Sequence, residues 1–269
     1  MKAGILASLL LALLCVSARA DPAEIRVGGT GAVTELLHRV AAAFDKQTAN
    51  KTAVVASLGT SGAIRALADS LLDVAVAGRA LKPEEQARGL KVAVVVRTPF
   101  VFVTSHHNPN GLSAADLVKA YLDPGRAWSD GTPIRVILRP RSESDVMLMA
   151  SLFPGLGEAM DKARQRPEIP VAATDQDNAD VAERIPGSLV GMTLAQLVME
   201  KRNLRVVPID DRKPTNESLR DGNYPYSKLL HFITRAQPSE GVAAFFRFLD
   251  AEAGQVLFRE AYVFPEPTR

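Results

Sequence analysis

The sequence predicts an α/β protein of two lobes with mixed, mostly parallel sheets. Three observations point there. Short β-rich runs alternate with helical periods from residue 24 onward, the pattern changes register after residue 104, and a strand followed by an amphipathic helix returns after residue 224. Of the 269 residues 47% are hydrophobic and 23% charged, and no block recurs at a fixed period, which excludes a disordered chain and a solenoid.

β-rich runs at 24–27, 52–57 and 73–77 enclose helical periods at 33–47 and 63–70, an alternation that implies parallel pairing through crossover helices. The run 92–103 contains VAVVV and FVFV, an unbroken apolar character expected of a strand covered on both faces. A loop at 106–111 opens a second unit, with helices predicted at 114–121, 145–152, 178–184 and 194–200 and strands at 134–138, 189–192 and 206–209. A strand at 228–234 and one long amphipathic helix at 242–259 close the chain. This order suits a lobe 2, residues 105–223, inserted between two parts of a lobe 1, residues 21–104 and 224–269.

Residues 1–20 are expected to be a signal peptide: Lys2 precedes an apolar run at 5–16, and Ala18-Arg19-Ala20 forms an A-x-A site with cleavage after Ala20. The run is shorter than the ~20 residues a membrane-spanning helix needs. Cys15, the sole cysteine, lies inside it without a small residue immediately ahead, which argues against lipidation. Two of the 32 Lys+Arg (Lys2 and Arg19) fall in this segment and none of the 30 Asp+Glu, so the remainder carries no net formal charge. A neutral chain without a basic run offers no footprint for nucleic acid or an anionic membrane. The expected setting is the periplasm, with neither a disulfide nor a thiol nucleophile in the mature protein.

Two junctions between strand and helix could hold a small anion: Gly28-Gly29-Thr30-Gly31-Ala32 and Leu58-Gly59-Thr60-Ser61-Gly62. At each, unpaired N–H groups, the positive end of the helix dipole and hydroxyl donors converge, and glycine lets a ligand approach the backbone. The same residues also serve as ordinary helix caps. A third candidate is Arg139-Pro140-Arg141-Ser142-Glu143-Ser144-Asp145, where guanidinium forks could clamp an oxyanion. There, Ser142 and Asp145 have the spacing of a capping box that would take the same N–H groups, and Glu143 and Asp145 would repel an anion. Thr174-Asp175-Gln176-Asp177-Asn178 reads as a polar helix cap or a ligand-facing loop, without the Gly and distal Glu of a calcium loop. His106-His107 belongs to a surface loop, and His38 and His231 to a helix and a strand. Thr34 stands where a dinucleotide fingerprint needs its third Gly. No nucleophile elbow, catalytic Cys or metal-hydrolase spacing occurs, so no enzyme, cofactor or metal is expected.

These segments resemble the phosphate-type substrate-binding proteins of bacterial ABC uptake systems, which have the type II periplasmic binding protein fold. GGTGAVTELLHRVAAAFDKQT is similar to the family's first loop and helix, and GTSGAIRALADSLLDVAVAGRALKPEE to its second loop, helix and strand. LSAADLVKAYLDPGRAWSDGTPI, with Trp128, resembles the segment before the lobe 2 binding loop. PGSLVGMTLAQL, YPYSKLLHFIT and FFRFLDAEAGQVLFREAYVFP resemble the later strand, the return crossing and the closing helix.

The resemblance implies a ligand cleft between lobes that captures a small inorganic anion, phosphate first, by hinge closure, with an inner-membrane ABC permease as partner and a monomeric receptor. It carries over Thr30, Gly31 and Ala32 from the first loop, Thr60, Ser61 and Gly62 from the second, and Arg139 with Ser142 and Ser144 from lobe 2. Two departures stand out. Gly78-Arg79 replaces the Asp with which strict phosphate binders accept a phosphate proton, and Glu143-Ser144-Asp145 replaces Ser-Gly-Thr. Arg79 could supply charge to the cleft in place of that Asp or be a solvated residue after a strand. The departures also leave room for an alternative: a binding-fold sensor or docking protein for a membrane signalling partner, with an altered ligand or none.

Overall fold

The computed structural model describes residues 24–220 and 223–266; the expected signal peptide and its cleavage site lie outside them. Strand β1 (Ile25–Gly29) leads through a 3-10 turn at Gly31–Val33 into helix α1 (Thr34–Gln47), followed by β2 (Thr52–Val54), α2 (Gly59–Ala68), β3 (Val74–Ala77), α3 (Pro83–Ala87) and the long strand β4 (Leu90–Thr104). Then come α4 (Ala114–Leu122), β5 (Arg135–Val136), α5 (Ser144–Leu152), α6 (Leu156–Ala163), α7 (Asp175–Arg184), β6 (Ser188–Thr193), α8 (Leu194–Met199), β7 (Arg205–Val207) and α9 (Asn216–Arg220). The chain returns through β8 (Ser227–Arg235), α10 (Glu240–Asp250), α11 (Glu252–Glu260) and β9 (Phe264–Pro265).

The sheet order is β2-β1-β3-β8-β4-β6-β5, with β7 and β9 also paired to β4. Pairing is parallel along β2-β1-β3 and between β5 and β6, where helices provide the crossovers, and antiparallel wherever β8 or β4 meets a neighbour. β4 serves both lobes. From Leu90 to Pro99 it pairs with β8, and from Phe100 onward with β6 and β7. The partner therefore changes at Pro99–Phe100, where the Phe100 N–H donates to the Tyr226 carbonyl at 2.9 Å, inside the strand and not at its end. Both faces of β4 are buried only over its last seven residues; Lys91 and Ala93 in its first half are exposed.

Three apolar cores follow from this plan. One side of the lobe 1 sheet buries Leu36, Leu37, Val40 and Phe44 of α1 with Phe245 and Phe248 of α10 and Phe258 of α11. The opposite side is a smaller cluster in which Ala63, Ile64 and Leu67 of α2 meet Leu72, Leu90 and Ile233. Lobe 2 has its own core, including Phe100, Phe102, Phe153 and Trp128. Full burial of a side chain of this size stabilises by about 1.5–3 kcal/mol, so each lobe has a core of its own to hold its half of the cleft.

The structure corrects several local expectations. The long helix at 242–259 is two helices, because Ala251 turns extended (ψ 160°) and redirects the chain so that Phe248 and Phe258 reach the same core from different angles. α2 begins at Gly59, four residues before the expected start, so Thr60, Ser61 and Gly62 lie inside its first turn. α7 likewise begins at Asp175, with the Thr174 side chain accepting from the Asp177 N–H and Asp177 reaching back, a reciprocal capping box. The box expected from Ser142 and Asp145 is absent: Glu143 is the N-cap residue of α5, without a side-chain cap, and Asp145 is engaged elsewhere.

Candidate functional site

The first loop faces lobe 2 and is covered by it. The Thr30 hydroxyl donates to Asp175 Oδ2 at 3.1 Å, Gln176 Nε2 donates to the Gly31 carbonyl at 2.9 Å, and the Thr193 hydroxyl donates to the Ala32 carbonyl at 3.3 Å. Thr30, Gly31 and Ala32 are all buried beneath these side chains. A Cβ on Gly31 would lie 2.8 Å from Asp175 Oδ2, so the start of α7 approaches this closely only because residue 31 has no side chain.

At the second junction the Thr60 hydroxyl accepts the Gly78 N–H at 2.9 Å, while Ser61 is exposed and Gly62 packs near the Leu58 Cβ. No side chain caps the start of α2. Arg79 is turned away: its guanidinium forks onto Glu85, Nη2 to Oε1 at 2.7 Å and Nη1 to Oε2 at 2.8 Å, and reaches Ser61 only at 3.4 Å. That hydrogen bond raises the Arg79 pKa and lowers that of Glu85.

From lobe 2, Arg139 is buried and paired twice, Nη1 to Asp175 Oδ1 at 2.8 Å and Nη2 to Glu143 Oε2 at 3.3 Å, while its Nε has no protein partner. Ser142 is exposed. Ser144 is buried against lobe 1: a Cβ on Gly78 would lie 2.6 Å from Ser144 Oγ and 2.8 Å from Lys228 Cε. Asp145 pairs with Lys228, and both are almost fully buried (4% and 1% exposed).

Two cations, Arg139 and Lys228, thus meet two carboxylates, Asp145 and Asp175, with Glu143 at the edge. Burial pushes the Asp175 carboxyl up, but Lys228, Arg139 and the hydrogen bonds from Arg139 and Thr30 outweigh it and hold the group below the usual range. Burial opposes charge on Lys228 as well, yet Asp145 and Asp175 raise its pKa. Glu143 goes the other way: burial raises it, aided by the neighbouring Asp175 and Asp145 and only partly countered by Arg139.

Lys228 is not among the residues the sequence points to, whereas the stretch 174–178, expected as a polar helix cap or a ligand-facing loop, places Asp175 both in the first turn of α7 and on the cavity below. A signal for Lys228 is present in the sequence: it shares the inward period of β8 with Leu230 and Phe232, an unusual place for an unpaired lysine. Asp145, by spacing a cap and by charge a source of repulsion, instead finds its partner 83 residues away.

Between the lobes lies a cavity of about 170 Å³, lined among others by Leu58, Gly59, Arg139, Glu143, Thr174 and Asp175. It offers Arg139 and the uncapped start of α2 as donors and two carboxylates as acceptors. Such a set suits hydrogen bonding to a small polar solute. Among the described residues no group of three or more His, Cys, Asp or Glu could hold a metal ion. His106 lies outside this cleft, stacked on Trp128 with ring centroids 5.3 Å apart.

A protein-family model described as a PBP superfamily domain matches residues 16–252. The chain belongs to this family. No curated protein matches it in sequence. Among solved structures, a Clostridium perfringens protein with bound phosphate, described as a candidate phosphate ABC transporter substrate-binding protein, matches with a TM-score of 0.77 at 16% identity, covering 91% of this chain and 100% of that one. An ABC-type phosphate transport receptor from Vibrio cholerae matches at 0.61 and 17% identity (90% and 100% covered), and the periplasmic molybdate-binding protein of Azotobacter vinelandii at 0.60 and 14% (91% and 100%). At these identities the likeness is one of fold, and the fold is the α/β architecture of type II periplasmic binding proteins. These three neighbours are each described by the anion they bind or transport, phosphate or molybdate.

Proposed function

We propose that the chain is an exported solute-binding protein that captures a small oxyanion, phosphate first, between its lobes and presents it to an ABC permease of the inner membrane. The mature protein would begin at Asp21 and work as a periplasmic monomer, and its hinge would be the two crossings at Pro99–Phe100 and at the entry to β8. The observation that carries the reading is the convergence of buried Arg139, with its unpartnered Nε, and the uncapped α2 start near one cavity of about 170 Å³. Helix starts and guanidinium forks favour oxyanions by their N–H donors and partial charge. Asp175, held ionised and lining the same cavity, supplies an acceptor for a proton on the ligand. It could do from lobe 2 what a carboxylate at position 78 would do from lobe 1, so the favoured ligand is a protonated oxyanion such as phosphate and not sulfate.

Calorimetry on the protein purified after export on its own N-terminal segment tests this. Phosphate should release heat with a one-to-one midpoint, sulfate should not, and Arg139→Met should abolish the signal. No binding at millimolar phosphate by folded protein would overturn the reading. A second reading, a sensing or docking protein that delivers no solute, is supported by Lys228–Asp145, which joins the lobes with the chain's own charges.

A further inference from the structure

Lys228 belongs to β8, in the half of that strand that pairs with the lobe 1 part of β4, opposite Thr98. Asp145 belongs to the first turn of α5, a helix whose Met149 is part of the lobe 2 core. Their ion pair therefore crosses the cleft, and it does so almost entirely out of water. Gly78 fits the same contact: nothing larger leaves room for Ser144 Oγ and the Lys228 Cε, so β3, β8 and the start of α5 are shaped to one another in the closed arrangement. If the lobes part, Lys228 and Asp145 regain water but lose a partner held at contact distance, while the apolar stem of Lys228 becomes exposed.

The geometry points to Lys228 and Asp145 as a positioning pair that latches the lobes closed without a solute. Asp145 is in effect a tethered anion. It brings to the cationic side of the cleft the charge that a diffusing anion would otherwise have to bring, and it does so at the high effective concentration of an intramolecular group. The closed form is then the resting form, and any solute must enter by breaking the latch. This goes beyond the oxyanion reading and does not depend on it, because the pair closes the lobes whichever solute occupies the cavity beside Arg139.

The test uses the exported protein, whose only cysteine is Cys15 in the expected signal peptide, so that two introduced cysteines are the only labelling sites in the mature chain. Gln86→Cys on α3 and Met147→Cys on α5 place spin labels on exposed positions of the two lobes. Distances between the labels are read by pulsed electron paramagnetic resonance, with and without inorganic phosphate. The expected result is one narrow distance that phosphate leaves unchanged, replaced in Lys228→Met and in Asp145→Leu by a longer, broader distribution. Should either single variant fail to fold, the double variant Lys228→Ala/Asp145→Ala decides, since it leaves neither an unpaired buried charge nor an apolar pair in contact across the cleft: it should fold and should sample the longer distances. A broad distribution in the parent that narrows only with phosphate would overturn the latch, and so would a double variant that keeps the narrow distance. Heat of phosphate binding on the same samples separates the two proposals, because its absence would overturn oxyanion capture while leaving the latch standing.

Discussion

Replacing Lys228 with methionine removes one charge from a buried set that balances. Arg139 and Lys228 face Asp145 and Asp175, and when Lys228 is gone Asp145 loses its hydrogen-bonded cation and keeps only Arg139 nearby, which is already paired to Asp175 and Glu143. Leaving one member of a buried pair uncompensated costs about 3–5 kcal/mol, and with both residues at 4% exposure or less there is little solvent to soften it. Asp145→Leu should cost a similar amount, with the unpaired charge now on Lys228. The double replacement removes both charges and leaves packed apolar groups, a change expected to be near neutral. The cycle of these three variants should then give a coupling of several kcal/mol, well beyond the ~0.3–0.5 kcal/mol scatter of independent sites. Urea unfolding reads it, with circular dichroism for the whole chain and fluorescence of Trp128, the single tryptophan, buried in the lobe 2 core. Single variants that lose less than about 1 kcal/mol, as solvent-exposed pairs do, or losses that simply add, would refute the argument that this pair is desolvated and mutually dependent.

Gly78→Ala should destabilise by about 1–3 kcal/mol, the cost of overpacking, because its Cβ would meet Ser144 Oγ at 2.6 Å and Lys228 Cε at 2.8 Å; a chemical melt indistinguishable from the parent would show that the contact yields freely. Glu143→Gln removes a half-buried carboxyl whose pKa is raised, so its stabilising contribution exists below pH 4.5 and is lost as pH rises through the folded value. At neutral pH the variant should be at least as stable as the parent and, with about 1.4 kcal/mol of repulsion relieved, should bind phosphate about tenfold more tightly by calorimetry. Acid should act in two steps. His231 is held below 6.5 by burial and then by Arg79, so its contribution is complete above pH 6.5 and lost as pH falls through the folded value; Asp175, held below 3.8, keeps its contribution above that pH and loses it further down. Thermal melts from pH 8 to pH 3 should show both losses, and His231→Gln should remove only the first.

The parts of the fold that depend on local pattern were legible. β1, α1, β3, α4, α5, β6 and β8 lie within a few residues of where periodicity placed them, because burial of one face imposes a period of 3.6 or 2 on the sequence itself. The expectations that missed depended on tertiary partners. The break at Ala251 carries no Pro; Gly254 lets the start of α11 lie against the end of α10, where a Cβ would come within 2.3 Å of the Phe248 carbonyl, and Phe248 and Phe258 then reach one core. The box at Ser142 and Asp145 had the right spacing, but Asp145 is drawn across the cleft to Lys228, a stronger partner than a backbone N–H.

By itself the sequence determined the class of fold, the position of the glycine- and hydroxyl-rich helix starts, the arginine of lobe 2 and the neutral charge of the chain without its first twenty residues. Tertiary structure alone decided which charges meet. Arg79 is spent on Glu85, six residues away, whereas Arg139 meets Asp175 across 36 residues and Asp145 meets Lys228 across 83. Charge pairing in water is weak and leaves no periodic trace, so a sequence lists the charges without their partners; burial makes the partner matter by several kcal/mol.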